Sequence, residues 1–320
     1  MKQLKILVTG GAGFIGSNLC DSLLDEGHEI ICLDNFDDFY STEIKQSNIS
    51  QALLSKKFTF IKGDIRDKKL IDEIFSTFNP ELIIHLAAKA GVRPSIQNPE
   101  LYFDVNVNGT ICLLEAMKKF ELKKMIFASS SSVYGNSENV PFSETENVDH
   151  PISPYAASKK AGELICHTYH HLFGLDICCL RFFTVYGPRQ RPEMAIHYFT
   201  HQINNHKPIN VFGDGTTKRD YTYIQDIIKG IKGAMENCNG FEIVNLGESS
   251  TISLTKLIEL IEIKTGKKAI LNKLAAQPGD VDITFADIAK AKRILGYDPS
   301  FPIEKGIEIF VDWYNKTNTL

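Results

Sequence analysis

A short apolar run that ends in a cluster of glycines constrains this chain more than any other stretch. Residues 4–9 are suited to a buried parallel strand. They lead into Gly10-Gly11-Ala12-Gly13-Phe14-Ile15-Gly16 and then an amphipathic helix to about residue 26. The glycines fit two spacings: Gly11, Gly13 and Gly16 satisfy G-x-G-x-x-G, and Gly10, Gly13 and Gly16 satisfy G-x-x-G-x-x-G. Either spacing lets the backbone turn tightly and approach a pyrophosphate at the helix N-terminus, where free N–H groups and the dipole favour anions. A second apolar run, residues 29–33, ends in Asp34, placed to accept from adenosine ribose hydroxyls. A 2'-phosphate would meet that carboxylate, so the pattern predicts NAD rather than NADP.

Beyond this unit the chain alternates. A polar loop and short helix are predicted over 35–55, strands at 58–61, 82–86, 125–128 and 177–182, and helices at about 68–78, 99–120 and 154–173. Such alternation predicts an α/β, Rossmann-like doubly wound parallel sheet, with ligands outside the carboxyl ends of its strands. Ala87 and Ala88 follow one of those ends and leave room for a cofactor, whereas His85, inside the apolar run, reads as a packed core histidine. From about residue 184 the pattern changes to a turn-rich basic loop, Tyr186-Gly187-Pro188-Arg189-Gln190-Arg191-Pro192, followed by shorter elements. The expected division is a dinucleotide-binding domain over 1–183, rejoined by 226–247, and a smaller C-terminal substrate-binding lobe over most of 184–320.

Ser153 and Pro154 suit the cap and first turn of a helix, which sets Tyr155 and Lys159 one above the other on one face. An exposed tyrosine, with a pKa near ~10, is no base at neutral pH. A lysine ammonium beneath it favours the phenolate. A drop of ~3 units needs about 4 kcal/mol, so a second positive group, such as an oxidised nicotinamide ring, would help.

Other classes are disfavoured. A net charge of −4 leaves no polyanion footprint, so nucleic acid is not an expected partner. No run of about 20 apolar residues and no signal-peptide pattern is present, so no membrane partner and a cytoplasmic location are expected. The seven cysteines are odd in number and only Cys178 and Cys179 adjoin, which reads as reduced core residues. His167 with His171 and His197 with His201 have i, i+4 spacing, but lack an evident third ligand, so no metal is expected. No G-x-S-x-G elbow supports a serine hydrolase.

In combination these features resemble the extended short-chain dehydrogenase/reductases of the nucleotide-sugar epimerase type, most closely those acting on UDP-glucuronate, over essentially the whole chain. The resemblance rests on the glycine turn, His85-Leu86-Ala87-Ala88, Ser129-Ser130-Ser131-Ser132-Val133-Tyr134-Gly135 and the segment from Tyr155 to Lys159. It continues in Arg181-Phe182-Phe183-Thr184-Val185-Tyr186-Gly187-Pro188, Gly213-Asp214-Gly215 and Arg219-Asp220-Tyr221.

The resemblance implies C4 epimerisation of a UDP-sugar, with tightly bound NAD regenerated each cycle, in a homodimer formed through helices near 99–120 and 155–173. Tyr155 would be the base, Lys159 would lower its pKa and hold the nicotinamide ribose, and Ser130 would bond the sugar oxygen. The cofactor would lie along Gly10, Gly13, Phe14, Ile15 and Gly16, with its adenosine end at Asp34, Asn35, Asp64 and Ile65. Its nicotinamide half would follow Leu86, Ala87, Ala88, Lys89, Asn106 and Ser129. Substrate would meet Arg93, Ser130, Ser131, Ser132, Tyr155, Thr184 and Arg191, with the UDP moiety near Arg219 and Asp280. The sequence departs from many relatives at Gln277-Pro278-Gly279-Asp280, where they carry an arginine before the Gly-Asp pair.

Relatives that dehydrate or decarboxylate the sugar carry an acid just before Val-Tyr-Gly, where this chain has Ser131 and Ser132. Relatives acting on neutral hexoses usually carry asparagine at the position of Thr184. Together with Arg191, these positions point to UDP-glucuronate, with UDP-glucose or UDP-N-acetylglucosamine as the alternative. A non-catalytic NAD-binding regulator remains the alternative from another class.

Overall fold

The structure is a computed structural model that describes residues 2–275 and 281–318. Six strands, β1 (Lys5–Thr9), β2 (Glu29–Asp34), β3 (Phe58–Lys62), β4 (Leu82–His85), β5 (Lys124–Ser130) and β6 (Asp176–Phe182), build the central sheet with strand Phe241–Leu246. Its order is Phe241–Leu246, β6, β5, β4, β1, β2, β3, and every pairing is parallel. The direction of strand succession reverses at β1, so a crevice opens at its carboxyl end, where the glycine turn begins. The α/β doubly wound fold expected from the alternation is the observed one.

Apolar residues on both faces of the strands explain the two covering layers. Ile6 and Val8 of β1 pack into one layer with Ile84, Ile126 and Leu180, while Leu7 packs into the other with Ile83, Met125 and Ile177. His85 is core, as read: its ring nitrogens meet the hydroxyls of Thr9 (2.7 Å) and Thr110 (3.0 Å), and burial lowers its pKa to about 3.

Local signals set the helix ends. Asp67 caps Lys68–Phe78 by accepting from the N–H groups of Lys69 and Leu70, and Asn79 ends that helix in the left-handed region. Ser153 accepts from the N–H of Ala156 at 3.1 Å and so starts Pro154–Phe173, which Gly174 terminates.

The helix predicted over 99–120 differs from the observed chain. It is built from Pro99–Phe103, a π turn at Asp104–Asn108, and Gly109–Lys119, and an unpredicted helix Val92–Gln97 precedes it. The wide turn directs Asn106 back onto residue 89 rather than along a regular helical face.

Past β6 the strands pair in twos. Thr184–Tyr186 lies along Tyr221–Tyr223, Lys218–Arg219 along Ile252–Ser253, and Pro208–Phe212 along Ile270–Leu274. Helix Ile224–Asn237 then leads to Phe241–Leu246 at the sheet edge beside β6.

Candidate active site

The carboxyl ends of the strands surround a cavity of about 570 Å³. Gly10, Gly13 and Gly16 line it, whereas Gly11 faces the core, where an added Cβ would meet Cys32 Sγ at 2.5 Å. The spacing G-x-x-G-x-x-G is therefore the one that faces the cavity. Gly10 has φ +70°, and a Cβ there would lie 2.7 Å from the Ala87 nitrogen. At Gly16 it would meet the Gly10 carbonyl oxygen at 2.2 Å. Helix Phe14–Asp25 starts at Gly13 with no side-chain cap, which leaves its first N–H groups for an anion. A dinucleotide pyrophosphate fits this cradle.

Asp34 sits under the turn. It accepts from the N–H groups of Ala12 (3.1 Å) and Phe36 (2.9 Å), and the buried Lys45 ammonium faces it. Asn35 donates to Asp64 at 3.2 Å, and Asp64 is held down to about 2, chiefly by its hydrogen bond from Arg66. Ile65, Leu86, Ala87, Ala88, Lys89, Phe14 and Ile15 also line the cavity. Lys89 Nζ pairs with Asp37, on the loop after β2, at 2.7 Å. Asn106 stands behind the wall instead: its amide accepts from the Lys89 N–H (2.8 Å) and donates to Ser158 (2.9 Å).

At the other end of the cavity Ser129, Ser130, Ser131, Ser132, Tyr155, Lys159, Thr184 and Arg191 come together. Ser130 donates to the Ser132 hydroxyl at 3.1 Å and caps the single turn that follows. Burial raises the pKa of Tyr155, while a hydrogen bond with Ser130 and the charge of Arg191 oppose the rise. Lys159 donates to the Ala128 carbonyl at 2.7 Å, and burial lowers its pKa to about 8. Arg191 from the loop is thus the cation whose charge acts on the phenol, while Lys159, one helical turn along, directs its ammonium to the Ala128 carbonyl.

Arg191 is carried by a loop fastened to the cofactor side. Asn18 donates to the Pro188 carbonyl at 3.1 Å, and Arg189 pairs with Asp21 at 2.7 Å, both partners lying on helix Phe14–Asp25. Arg191 itself pairs with Glu193 at 3.1 Å and lies 5.7 Å from the Phe39 ring centre. A second cavity of about 180 Å³ adjoins Ser131, Ser132 and Thr184 and is lined by Arg219. Arg93 lies outside both linings, with its guanidinium 4.7 Å over the Phe212 ring. Asp280 and the Gln277-Pro278-Gly279 segment before it lie outside the described residues.

Several lining residues escape sequence reasoning. Asp37, Tyr40 and Lys45 belong to the stretch 35–55, which reads as a polar loop and short helix, and Arg66 to the segment between β3 and the next helix; all four line the cavity. The charged stretch after Asp34 was the one available signal. The paired histidines hold no shared site: His167 packs on Phe241, and His197 Nδ1 lies 2.6 Å from the Gln190 carbonyl. All seven cysteines are unpaired and buried.

A parallel sheet with a glycine cradle at its switch point, and a hydroxyl–phenol–ammonium set beyond it, defines a dinucleotide-dependent short-chain dehydrogenase/reductase of the extended kind. The GDP-mannose 4,6 dehydratase family model matches residues 7–310, and the chain belongs to that family. It is 46% identical over 308 residues to a UDP-glucuronate 4-epimerase of Thermodesulfobacterium geofontis, covering 96% of this chain and 95% of that one. Among solved structures, the UDP-glucuronic acid 4-epimerase of Bacillus cereus, in complex with UDP-glucuronic acid and NAD, superposes with a TM-score of 0.93. It is 39% identical and is matched over 98% of this chain and 100% of its own. The UDP-glucose 4-epimerase of Thermotoga maritima, with UDP-glucose, gives 0.90 at 34% identity, over 98% and 99%.

Proposed function

We propose that the protein interconverts UDP-glucuronate and UDP-galacturonate by NAD-dependent epimerisation at C4. The observation that carries this reading is the shared cavity wall: Tyr155, Thr184 and Arg191 line it with Ser131 and Ser132, where no carboxylic acid stands. The similarity to the Bacillus cereus enzyme, crystallised with UDP-glucuronic acid and NAD, supports it.

NAD, when bound, supplies a reversible hydride acceptor for the sugar carbon. Gly10, Gly13 and Gly16 would hold its pyrophosphate, Asp34 its adenosine ribose, and Lys159 its nicotinamide ribose. Tyr155 takes the proton of the C4 hydroxyl, and Ser130 hydrogen-bonds that oxygen. The resulting 4-keto sugar turns in the site, and Tyr155 returns the proton after the opposite face has been reduced. Thr184, Ser131, Ser132 and Arg191 hold the C6 carboxylate by charge-assisted hydrogen bonds. Held in this way, the carbon–carbon bond to the carboxylate stays out of line with the ketone π system, which discourages loss of CO2. Carbon–oxygen cleavage has no acid at positions 131 and 132, so the ketone is reduced again rather than dehydrated. The UDP moiety lies near Arg219 and Asp280 in this reading.

The cofactor half comprises 1–183 with 226–247, and the UDP-sugar half most of 184–320. The protein is a cytoplasmic homodimer in this reading. Among the described residues no helix is long and apolar enough to cross a membrane. Phe103, Leu164 and Leu172 are 40%, 56% and 61% exposed on the two helical segments proposed to meet their symmetry mates. Light scattering tests the dimer. The reaction is tested by incubation with UDP-glucuronate, UDP-glucose and UDP-N-acetylglucosamine followed by proton NMR. UDP-galacturonate is the expected product, and preference for a neutral sugar would replace the uronate assignment.

A further inference from the structure

We propose that Glu163 and Arg181 are positioning residues for the proton-transfer site, joining the serine end of β5 to the helix that carries Tyr155 and Lys159. The proposal rests on the reading of Tyr155 as the base. Tyr155, Lys159 and Glu163 fall on successive turns of one helix face. Glu163 and Arg181 are each only 1% exposed. Their contact is bidentate: Arg181 Nε donates to Glu163 Oε1 and Nη2 to Oε2, both at 2.8 Å. Glu163 Oε1 also accepts from Ser129 at 2.6 Å.

Ser129 and Arg181 are register partners across the β5–β6 ladder, so one carboxylate grips both strands at the same level. Ser130 is the next residue along β5. On its other side, the Arg181 guanidinium lies 4.8 Å over the Tyr134 ring. Tyr134 closes the turn Ser131–Tyr134 and donates to Asn245 at 2.7 Å. A single ion pair therefore touches the base-bearing helix, two strand ends and the serine turn.

Stability is a poor reason for such a pair. Two charges taken out of water gain little over a well-packed apolar pair. Arg181 Nη1 is also buried with no hydrogen-bond partner, which adds a cost. Direction is what the pair supplies. Three short charge-assisted bonds hold the helix and strand in register, whereas apolar side chains would let them slide. Proton transfer needs donor and acceptor within about 3 Å, and an error of about 1 Å costs on the order of 100-fold in rate.

The test compares Glu163→Gln with the charge-balanced double variant Glu163→Gln/Arg181→Gln, which leaves no lone buried charge should the single variant fail to fold. Melting temperature, kcat and KM for UDP-glucuronate are measured beside wild type. The expected result is a folded double variant whose kcat is down at least tenfold with KM within about twofold. A kcat that recovers in step with melting temperature, or stays within twofold of wild type, overturns the proposal. A crystal structure of the double variant reads the same relationship without turnover: Ser130 displaced from the Tyr155 hydroxyl supports it, and an unchanged separation overturns it. Absence of turnover in wild type would instead count against the epimerase reading alone.

Discussion

The carboxylate of Asp34 faces the ammonium of Lys45 at 3.7 Å beneath the glycine turn, and both side chains are buried. Each offsets the desolvation of the other, and under the proposed cofactor placement the Asp34 carboxylate disfavours a 2'-phosphate. Pure protein denatured and assayed for released nucleotide should yield NAD. Asp34→Asn removes the repulsion and leaves Lys45 without its carboxylate, so NAD retention should fall and preference over NADP should drop at least ~10-fold. Release of NADP from wild type would sink the argument.

Tyr155→Phe keeps the ring that packs edge-on against Tyr102 at 6.2 Å and removes only the hydroxyl. Melting temperature and nucleotide content should be unchanged while epimerisation falls by at least ~100-fold. Activity near that of wild type would show that another group moves the proton.

Lys159, lowered by burial to about 8, gives rate and stability opposite trends. In the proposed reaction this ammonium supports Tyr155 and the nicotinamide ribose, and it is lost as pH rises through about 8, so kcat should show an alkaline limb there. The unfolded chain keeps this proton up to a pKa near ~10.4, and therefore binds more protons between the two values. Over that window this group makes folding more favourable with rising pH. The rate lost at pH 9 should return on transfer to pH 7, and a rate flat to pH 10 would remove Lys159 from the reaction.

Arg191→Ala should cost UDP-glucuronate turnover about 2–3 kcal/mol more in kcat/KM than any UDP-glucose turnover, because only the uronate presents a carboxylate to the guanidinium. Equal losses on both sugars would make Arg191 a diphosphate contact or a general support of the loop.

Glu248 offers a test away from the cavity. Burial, then the charges of Asp226 and Asp220, raise its pKa to about 8, and its Oε2 is buried without a partner. A raised carboxyl contributes stability below its unfolded value near ~4.3 that is lost as pH climbs through 8. Glu248→Gln should therefore raise the melting temperature at pH 8 and leave it nearly unchanged at pH 5. Equal shifts at both values would point to packing rather than charge.

What could be read from the chain alone was whatever has a local cause. Ile6, Leu7 and Val8 announce a strand buried on both faces, Gly10 and Gly16 a turn that tolerates no Cβ, and Ser153 with Pro154 a helix start. Tyr155 and Lys159 follow from helical period. Glu163 and Arg181 could not be read in this way: one resembles any helical glutamate, the other interrupts an apolar strand, and only the sheet register joins them. Lys45 falls in the stretch 35–55, read only as a polar loop and short helix, and it meets Asp34 through the return of the chain. The resemblance puts Asn106 beside the nicotinamide half, and in the structure its amide bonds the Lys89 backbone behind the cavity lining.

Asn18 and Asp21 hold the loop of Arg191 from the helix that follows the glycine turn. If Arg191 reads the sugar as proposed, sugar choice and cofactor grip are not interchangeable modules. Transplanting residues 187–194 from a relative of different sugar preference would carry the new side chains but lose their anchorage, unless positions 18 and 21 were transplanted too. On that reading, exchange of substrate preference in this scaffold is a two-segment change whose halves lie some 170 residues apart in the chain.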